Sequence, residues 1–502
     1  MSARGDVARR SSLAMSEGRN PIPPPGAATV RFLDERLGAS PALKAAMRYV
    51  FPEHWSFMLG EIALYAFVVL IATGTFLALF FQSSTADTVY HGGYAPLFGE
   101  RMSIAYASAV HLSLDVPAGL LMRQTHHWAA LVFVAAITVH LMRVFFTGAF
   151  RKPRDLNWMV GVTMLMLAVL EGFFGYSMPD DLLSGMGLAI AYGVAMSVPL
   201  IGANLAFLFW GGEYPGTHEF TSRMLILHVW ILPAAIGVLI AVHLAQIMRQ
   251  HHSQFRGPGR TERNVVGTPM WPAYALRSLG LLLAVAAVLF LLGGLVQINP
   301  IWQWGPYETW LSTNGAQPDW YLGWLIGGLR IMPPLEIRFW GLTWIPNPFW
   351  GGAFFPLVVF GVLYAIPWLD RRLTRDPRRH ELLDRPRDNP QRTALGMGFF
   401  AWVALVFFAG SADRILIRFG IPYEGQIWFA RFAVFVVPVI TYVVTLRICR
   451  ELLRSEAHPL RGWTGRRVRR TPEGGFATDE EPAGRCRPRV AETSDMTSSD
   501  TS

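Results

Sequence analysis

Long apolar stretches separated by polar loops dominate the hydrophobicity pattern of this chain. Eight of them reach the length of about 20 residues that a helix needs to cross the hydrocarbon core of a bilayer. They cover roughly residues 60–81, 118–147, 158–178, 224–248, 277–298, 350–369, 394–417 and 428–449, and are called spans 1 to 8. The pattern predicts an all-α integral membrane protein with eight transmembrane helices.

The polar segments around the spans suggest how the chain is organised. Residues 30–50 have an amphipathic pattern typical of a helix lying at the membrane surface, and the residues before them lack the apolar core of a signal peptide. We therefore predict four parts: a cytoplasmic extension at 1–50, a four-helix bundle at 51–260, a C-terminal four-helix region at 261–454 and a disordered cytoplasmic tail at 455–502.

Basic residues are concentrated on one side of the predicted membrane. Arginine and lysine follow spans 2, 4, 6 and 8, whereas the loops after spans 1 and 3 carry mainly Asp and Glu; Arg414 and Arg418 are exceptions. The positive-inside rule then places both termini in the cytoplasm. We also predict that the chain is a multi-pass protein of the plasma membrane. The net charge of +9 is explained by this topology, and we expect no nucleic-acid partner.

The composition supports the membrane assignment and limits the chemistry. Apolar residues make up 52% of the chain and charged residues 16%, whereas a soluble domain carries about 25% charge. The two cysteines, Cys449 and Cys486, are too few for a disulfide framework or a Cys-rich zinc or iron–sulfur site. Without a C-x-x-C-H motif the chain attaches no c-type haem covalently.

Among the 13 histidines, four that lie inside spans have an informative spacing; ionisable side chains there are costly and usually functional. His126 and His140 are 14 residues apart on span 2, and His228 and His243 are 15 apart on span 4. At about 100° per residue each pair lies on one face, near opposite ends of its helix, and Pro233 can bend span 4 to absorb the mismatch. Such pairs predict two stacked bis-histidine sites, a ligation that suits haem iron in electron transfer.

Arginines and glycines recur at positions that suit two haems. Arg123 lies one turn outward of His126 and Arg143 one turn inward of His140, where each can pair with a haem propionate. A flat macrocycle packed against a helix requires a missing side chain. Spans 1 and 3 carry glycine pairs at the same 14-residue spacing: Gly60 and Gly74, Gly161 and Gly175. Such glycines can alternatively serve helix packing. The histidines can alternatively serve proton relay or metal transport.

Several motifs together resemble cytochrome b of the quinol–cytochrome c oxidoreductase (cytochrome bc) complexes. They lie in the family's order between about residues 50 and 370: Gly119-Leu-Leu-Met-Arg123-Gln-Thr-His126, His140-Leu-Met-Arg143, Gly175-Tyr-Ser-Met-Pro179, Arg223, His228 to Pro233, His243 and Pro318-Asp319-Trp320-Tyr321. The last is similar to the family's Pro-Glu-Trp-Tyr signature. The resemblance implies a four-helix dihaem bundle in a respiratory quinol oxidoreductase.

The resemblance also implies roles for individual residues. His126 and His228 would hold the iron of an outer, low-potential haem b, and His140 and His243 that of an inner, high-potential one. Around the haems it implies these cofactor-binding residues: Arg123, Arg143, Arg223, Gly60, Gly74, Gly161 and Gly175. At an outer quinol oxidation site it implies Asp319 as the proton acceptor, with Tyr321, Tyr176, Gly185, Pro318 and Trp320 beside it. Arg277 and Ser278 are candidates for an inner quinone site, with His251 and His252 as weaker ones.

Departures from the family pattern indicate the branch. Asp180-Asp181 follows Pro179 where the family often has Trp-Gly, and Asp319 takes the place of Glu. Together with the 15-residue histidine spacing and the polar extensions, they resemble actinobacterial cytochrome b. That branch implies menaquinone as substrate, a Rieske iron–sulfur protein and a dihaem c-type cytochrome as partners, association with a terminal oxidase, and a homodimer.

Two other functions remain possible at this point. A dihaem membrane-anchor subunit of another oxidoreductase would share the histidine pairs but has no need of the Pro-Asp-Trp-Tyr loop. A transporter that uses membrane histidines for protons or metal would need broken helices and a cluster of acidic residues in the spans. Glu61 and Glu171 lie in spans, but nothing in the sequence groups them.

Overall fold

The computed structural model describes residues 40–313 and 317–457, a few positions between 32 and 38, and two segments at 467–470 and 476–479. In this part of the chain, eight helices are long and apolar enough to cross a membrane. They are Trp55–Ala78, Gly119–Phe146, Asp155–Ser177, Phe220–Gln250, Met270–Leu295, Trp350–Thr374, Pro390–Ala412 and Tyr423–Ser455. Each overlaps one predicted span, and the predicted all-α membrane fold is confirmed.

Shorter helices fill the segments between the spans. They are Ser40–Met47, Ile104–Leu114, Leu182–Met196, Gly202–Trp210, Ile301–Trp304 and Gly323–Ile331. The regular helices of the last two spans continue to Leu416 and Ala457. Single 3-10 or π-helical turns occur at Trp55–Phe57, Ala95–Leu97, Leu227–Ile231, Met270–Tyr274, Trp320–Leu322, Trp350–Phe354, Pro386–Asp388 and Ile417–Phe419. The predicted amphipathic helix at 30–50 is regular over Ser40–Met47, and its earlier part lies largely outside the described residues.

Strands occur only as short two-stranded ribbons in the part of the chain described. The pairs are Val50–Pro52 with Gly267–Pro269, Asp87–Val89 with Arg101–Ser103, Gln254–Phe255 with Leu382–Leu383, Ile337–Phe339 with Leu342–Ile345, and Arg467–Arg470 with Phe476–Asp479. The last pair lies in the tail that the sequence predicts to be disordered. Apart from these two strands and the end of the last helix at Ala457, that tail lies outside the described residues.

The main hydrophobic core is shared by both halves of the chain. Span 2 packs against spans 1, 3 and 5, and span 4 packs against span 3. Fully buried members of the core include Ala66 on span 1, Ala129 on span 2, Val162 on span 3 and Leu289 on span 5. The boundary predicted at residue 260 therefore does not separate two hydrophobic cores. Spans 7 and 8 pack on each other and on the short helix Gly323–Ile331.

The loops at each end of the bundle meet one another. Arg154 after span 2 donates to the backbone carbonyls of His251 after span 4 and His380 after span 6. At the opposite end, Leu182 after span 3 donates its N–H to the carbonyl of Gly305 after span 5. The three Arg-rich loops thus share one end, as the charge pattern predicts. We call it the inner end and the opposite one the outer end.

Candidate functional site

The four membrane histidines form two facing pairs between spans 2 and 4. The ring centres of His126 and His228 lie 6.2 Å apart near the outer end, and those of His140 and His243 lie 6.4 Å apart near the inner end. The structure therefore brings together the same partners that the sequence pairs. The sites are stacked along the bundle because each helix contributes one histidine to each pair.

A π-helical turn accounts for the unequal histidine spacing. His228 lies in the turn Leu227–Ile231, and regular helix resumes at Leu232 with Pro233 in its first turn. A π turn accommodates one residue more than the α-helical turn it replaces, so 15 residues on span 4 match 14 on span 2. We predicted that Pro233 absorbs this mismatch; the structure assigns the extra residue to the π turn, and Pro233 follows it.

Glycines on the flanking helices face the histidine rings. A Cβ atom on Gly60 would lie 3.2 Å from the His140 ring, and one on Gly74 would lie 3.1 Å from the His126 ring. A Cβ atom on Gly175 would overlap the ring of His228. Gly161 differs, because the nearest atom to its Cβ position is the Leu141 side chain at 3.9 Å. Three of the four predicted glycines thus leave space beside a histidine.

Arg123 and Arg143 each lie at the expected end of the bundle, with part of the guanidinium group unpaired. Arg123 donates to the carbonyl of Asn299, and Arg143 donates to the Ser56 hydroxyl. Buried Nε of Arg123 and Nη2 of Arg143 have no hydrogen-bond partner among the described residues. Buried donors of this kind are uncommon in folded proteins and indicate a missing acceptor. Carboxylate groups of a bound cofactor would satisfy both.

The second ring nitrogens of the histidines differ between the two ends. At the outer end, Nδ1 of His126 lies 3.0 Å from the Thr73 hydroxyl, and Nδ1 of His228 lies 2.9 Å from the Glu171 carboxylate. At the inner end, the buried Nδ1 of His140 has no protein partner in the described part of the chain, and the backbone of Asn157 lies next to the His243 ring. Sequence reasoning did not pair Glu171 with His228, because no spacing or motif relates these two positions on spans 3 and 4.

This arrangement fits two haem groups. An iron between two imidazoles, with metal–nitrogen bonds of about 2 Å on each side, places the ring centres about 6 Å apart. The measured separations agree with this distance. The glycines leave room for a flat ring system, and the unused guanidinium groups suit its propionates. The carboxylate and hydroxyl partners at the outer end resemble the groups that commonly orient metal-binding histidines.

A buried polar cluster lies at the outer end around the Pro-Asp-Trp-Tyr loop. Oδ1 of Asp319 lies 2.7 Å from Nε2 of His127, the residue next to His126, and both side chains are 13% exposed. The Tyr321 hydroxyl donates to Oδ2 of Asp319 at 3.2 Å. Burial and the Asp319 carboxylate raise the pKa of Tyr321 well above its usual range, with Tyr176 and Glu171 contributing. Tyr321 is therefore a neutral donor to Asp319. Sequence reasoning missed His127.

The other predicted outer residues surround this cluster. Tyr176 is buried and donates to the carbonyl of Leu183, and the carbonyl of Gly185 accepts from Tyr214. The Tyr307 ring packs against Gly185 and leaves no room for a side chain there. Trp320 points outward with 38% of its surface exposed, next to Pro318, which is half-buried. Backbone and ring contacts thus shape the surroundings of the cluster, and Asp319 is its carboxylate.

The unusual Asp180-Asp181 pair lies beside the segment after span 5, where the N–H of Tyr307 donates to the carbonyl of Asp180 and Asp181 pairs with Pro306. Asp181 is fully buried and caps the helix Leu182–Met196 by accepting from the N–H of Leu183. Burial raises the pKa of each carboxyl to about 6, and Arg123 opposes the shift at Asp181. A buried carboxylate close to Arg123 replaces the small Gly expected from the family pattern.

Other predicted residues lie away from these groups. Arg223 donates to the carbonyls of Phe207 and Leu208, which end the helix Gly202–Trp210, so its guanidinium is directed to that helix. At the inner end, Arg277 is exposed and pairs with Glu53, whereas Ser278 donates to Glu61. His252 bonds to the Tyr49 hydroxyl, and burial lowers the pKa of His252 to about 3.

Comparisons with a family model and with solved structures find proteins that are similar to this chain. The family model described as "Cytochrome b(N-terminal)/b6/petB" matches residues 131–306. A chain titled "Hyperthermophilic respiratory Complex III" has the same fold, with a TM-score of 0.63 at 20% identity over 84% of this chain and 99% of that one.

Curated relatives are similar over most of their length. The "Cytochrome bc1 complex cytochrome b subunit" of Streptomyces coelicolor is 44% identical over 91% of this chain and 84% of the relative. Those of Mycobacterium tuberculosis and Corynebacterium efficiens are 46% and 42% identical over 90% of this chain and 82% and 83% of the relatives. These likenesses and the eight apolar helices identify a multi-pass plasma-membrane protein and leave no support for the anchor-subunit and transporter alternatives. The chain belongs to the cytochrome b subunits of actinobacterial cytochrome bc1 complexes, a haem b-binding family of respiratory electron transport.

Proposed function

We propose that this chain is the dihaem cytochrome b of a menaquinol–cytochrome c oxidoreductase, with both termini in the cytoplasm. It oxidises quinol at the outer end, reduces quinone at the inner end and thereby translocates protons. The observation that carries the proposal is the pair of facing histidine sites, with ring centres 6.2 and 6.4 Å apart. The Asp319 cluster beside the outer pair supports quinol oxidation at that end.

The residues at the outer end are suited to accept protons from a quinol. Oxidation of a quinol releases two electrons and two protons, and a carboxylate positioned at the hydroxyl group accelerates the proton transfer. Asp319 would accept one proton, while contacts from His127 and Tyr321 hold its two oxygens in place. When bound, the two haems b supply one-electron transfer between the outer and inner ends.

Partners follow from the reaction. One electron of each quinol must leave at the outer surface, and the two cysteines of the chain, at the end of span 8 and in the tail, lie on the predicted inner side, where they cannot ligate an iron–sulfur cluster at the outer surface. We therefore include a Rieske iron–sulfur protein and a c-type cytochrome, with two haems, as partner subunits. A homodimer associated with a terminal oxidase is the assembly that we propose, with the regions 51–260 and 261–454 supplying the haem bundle and the quinol-site loop.

The proposal is tested by a reduced-minus-oxidised visible spectrum of the purified complex, combined with haem extraction. We expect two non-covalent b-type haems per chain and menaquinol-dependent reduction of cytochrome c. Menaquinol and ubiquinol analogues compared in the same assay identify the quinone. A well-folded complex whose cytochrome b chain holds no haem would overturn the proposal.

Gly175→Val is expected to reduce the outer haem to less than half of its normal content, because a side chain there would occupy the space beside His228. Gly237→Val is the matched control: it lies on span 4, and no atom lies within 4 Å of its Cβ position. Both changes replace a helical glycine by the same β-branched residue. Extracted haem per chain measures the effect, and equal haem content in the two variants would contradict the role assigned to Gly175.

A further inference from the structure

Glu61 is a membrane carboxylate that the outer site does not use. It lies near the inner end of span 1, directly after Gly60, whose missing side chain leaves room for the His140 ring. A carboxylate inside a span is costly, and such residues usually serve a function. The start of span 5, which packs beside span 1, carries no acidic residue.

The start of span 5 instead surrounds Glu61 with hydroxyl groups. Ser278 donates to Oε2 at 2.7 Å, and the Tyr274 hydroxyl donates to Oε1. Tyr65, one turn along span 1, donates to Oε2 at 3.2 Å and also contacts the Ser278 hydroxyl. We call Glu61, Tyr65, Tyr274 and Ser278 the inner carboxyl cluster. Its contacts use neutral donors, since the nearby Arg277 pairs with Glu53 on the exposed surface.

Contacts between the segments just before spans 1 and 5 hold these two helices in the alignment that forms the inner carboxyl cluster. The ribbon formed by Val50–Pro52 and Gly267–Pro269 joins the segments just before spans 1 and 5. The Phe51 ring stacks on Tyr274 with ring centres 3.8 Å apart, which directs the tyrosine toward span 1. All four members of the inner carboxyl cluster are half-buried, so a molecule within the membrane can reach them. The cluster is a built site near the inner histidine pair.

We propose that Glu61 is the proton donor to the quinone at the inner end, and that the three hydroxyl groups position it. This inference deepens the proposed function and rests on it. Reduction of a quinone takes up two electrons and two protons, and each carbonyl oxygen becomes a hydroxyl. The electron-transport activity of the subunit supplies the electrons. The Glu61 carboxyl gives one proton to one carbonyl oxygen and regains a proton from the inner aqueous phase, which also supplies the proton for the second carbonyl oxygen.

The test measures the reverse of this reaction in the purified complex. An inhibitor blocks the outer site, a short-chain naphthoquinol is added, and stopped-flow absorbance follows reduction of haem b through the inner site. Glu61→Gln is expected to slow this reduction about 100-fold, because it keeps the shape but removes the exchangeable proton. Glu61→Asp is expected to retain at least a tenth of the wild-type rate. Glu451→Gln, at an exposed carboxylate that pairs with Arg454, is the control and is expected to match the wild type.

Two further measurements separate catalysis from a structural role. Haem content and the menaquinone that copurifies with the complex are expected to be unchanged in Glu61→Gln, whereas a structural role would lower both. Tyr274→Phe removes one positioning hydroxyl and is expected to slow the reaction three- to ten-fold, which keeps the proposal testable if Glu61→Gln does not assemble. If Glu61→Gln reduces haem b at the wild-type rate, Glu61 is not the proton donor. If only Tyr274→Phe assembles, a wild-type rate of haem b reduction in that variant overturns the role of Glu61. Absence of haem from the wild-type chain instead overturns the proposed function.

Discussion

His140→Ala is expected to lower the haem content from two b-type haems per chain to one. His140 and His243 face each other with ring centres 6.4 Å apart, so loss of one ring leaves the inner iron without a second nitrogen ligand. The outer pair lies at the other end of the same helices and loses no contact. Haem extraction and the reduced-minus-oxidised spectrum measure the change.

A variant of the outer histidine pair tests whether the two haem sites are separate. His126→Ala is expected to remove the outer haem and retain the inner one. The haem left in each variant should then have a different reduction potential, the lower one remaining in His140→Ala. His111→Ala changes an exposed histidine on the helix Ile104–Leu114 and is expected to retain both haems. Loss of the same haem in both membrane variants would contradict the stacked arrangement.

The four histidines could be predicted because their spacing carries the information. A helix places residues 14 apart on nearly the same face, so the pairs on spans 2 and 4 define two levels in the membrane without knowledge of packing. Charge in the loops similarly predicts which ends meet. Both signals lie within one element or between neighbouring elements, and the structure agrees with them.

Other site residues could not be predicted because they depend on packing between distant segments. Glu171 contacts His228 across 57 positions, and His127 contacts Asp319 across 192. The sequence pattern gives the face of each helix but not its rotation against a neighbour or its height in the membrane. The π turn at His228 also escaped prediction, since the propensity of the residues in it does not distinguish it from an α-helical turn.

Arg223 is a residue that the sequence motif identifies but whose contacts the motif does not predict. Its place before His228 matches the family pattern, and a role at the haem followed from that match. In the structure its guanidinium donates to the carbonyls that end the helix Gly202–Trp210, where positive charge is favourable at a helix C-terminus. Motif matching identifies the residue but not the direction of a long, flexible side chain. A role for Arg223 at the haem stays a prediction.

The two ends of the bundle differ in a way that fits opposite reactions. The outer end combines Asp319 with an imidazole and a phenol, and holds the buried carboxyls of Asp180 and Asp181, whose pKa values burial raises to about 6. The inner end holds Glu61 among hydroxyl groups. Proton acceptors at the end that oxidises quinol and a proton donor at the end that reduces quinone would together move protons across the membrane.

Asp319→Asn is expected to lower menaquinol–cytochrome c turnover by about 10²- to 10⁴-fold, the range typical of a lost general base. The amide keeps the size of the carboxyl group and can still bond to His127 and Tyr321, but it cannot accept a proton at neutral pH. This loss corresponds to about 3–5 kcal/mol of transition-state stabilisation. Turnover with a menaquinol analogue is the measurement, and both haems should remain fully reducible by dithionite.

Matched variants decide whether the carboxylate acts as a base or only shapes the loop. Asp319→Glu restores the residue that the family signature carries and is expected to retain at least a third of the turnover, since the proton acceptor is kept. Asp87→Asn makes the same chemical change at an exposed carboxylate that pairs with Arg101 and should have no effect. If Asp319→Asn turns over at more than half of the wild-type rate, Asp319 is not the proton acceptor. Because His127 is the residue closest to its carboxylate, His127 would then be the next group to replace.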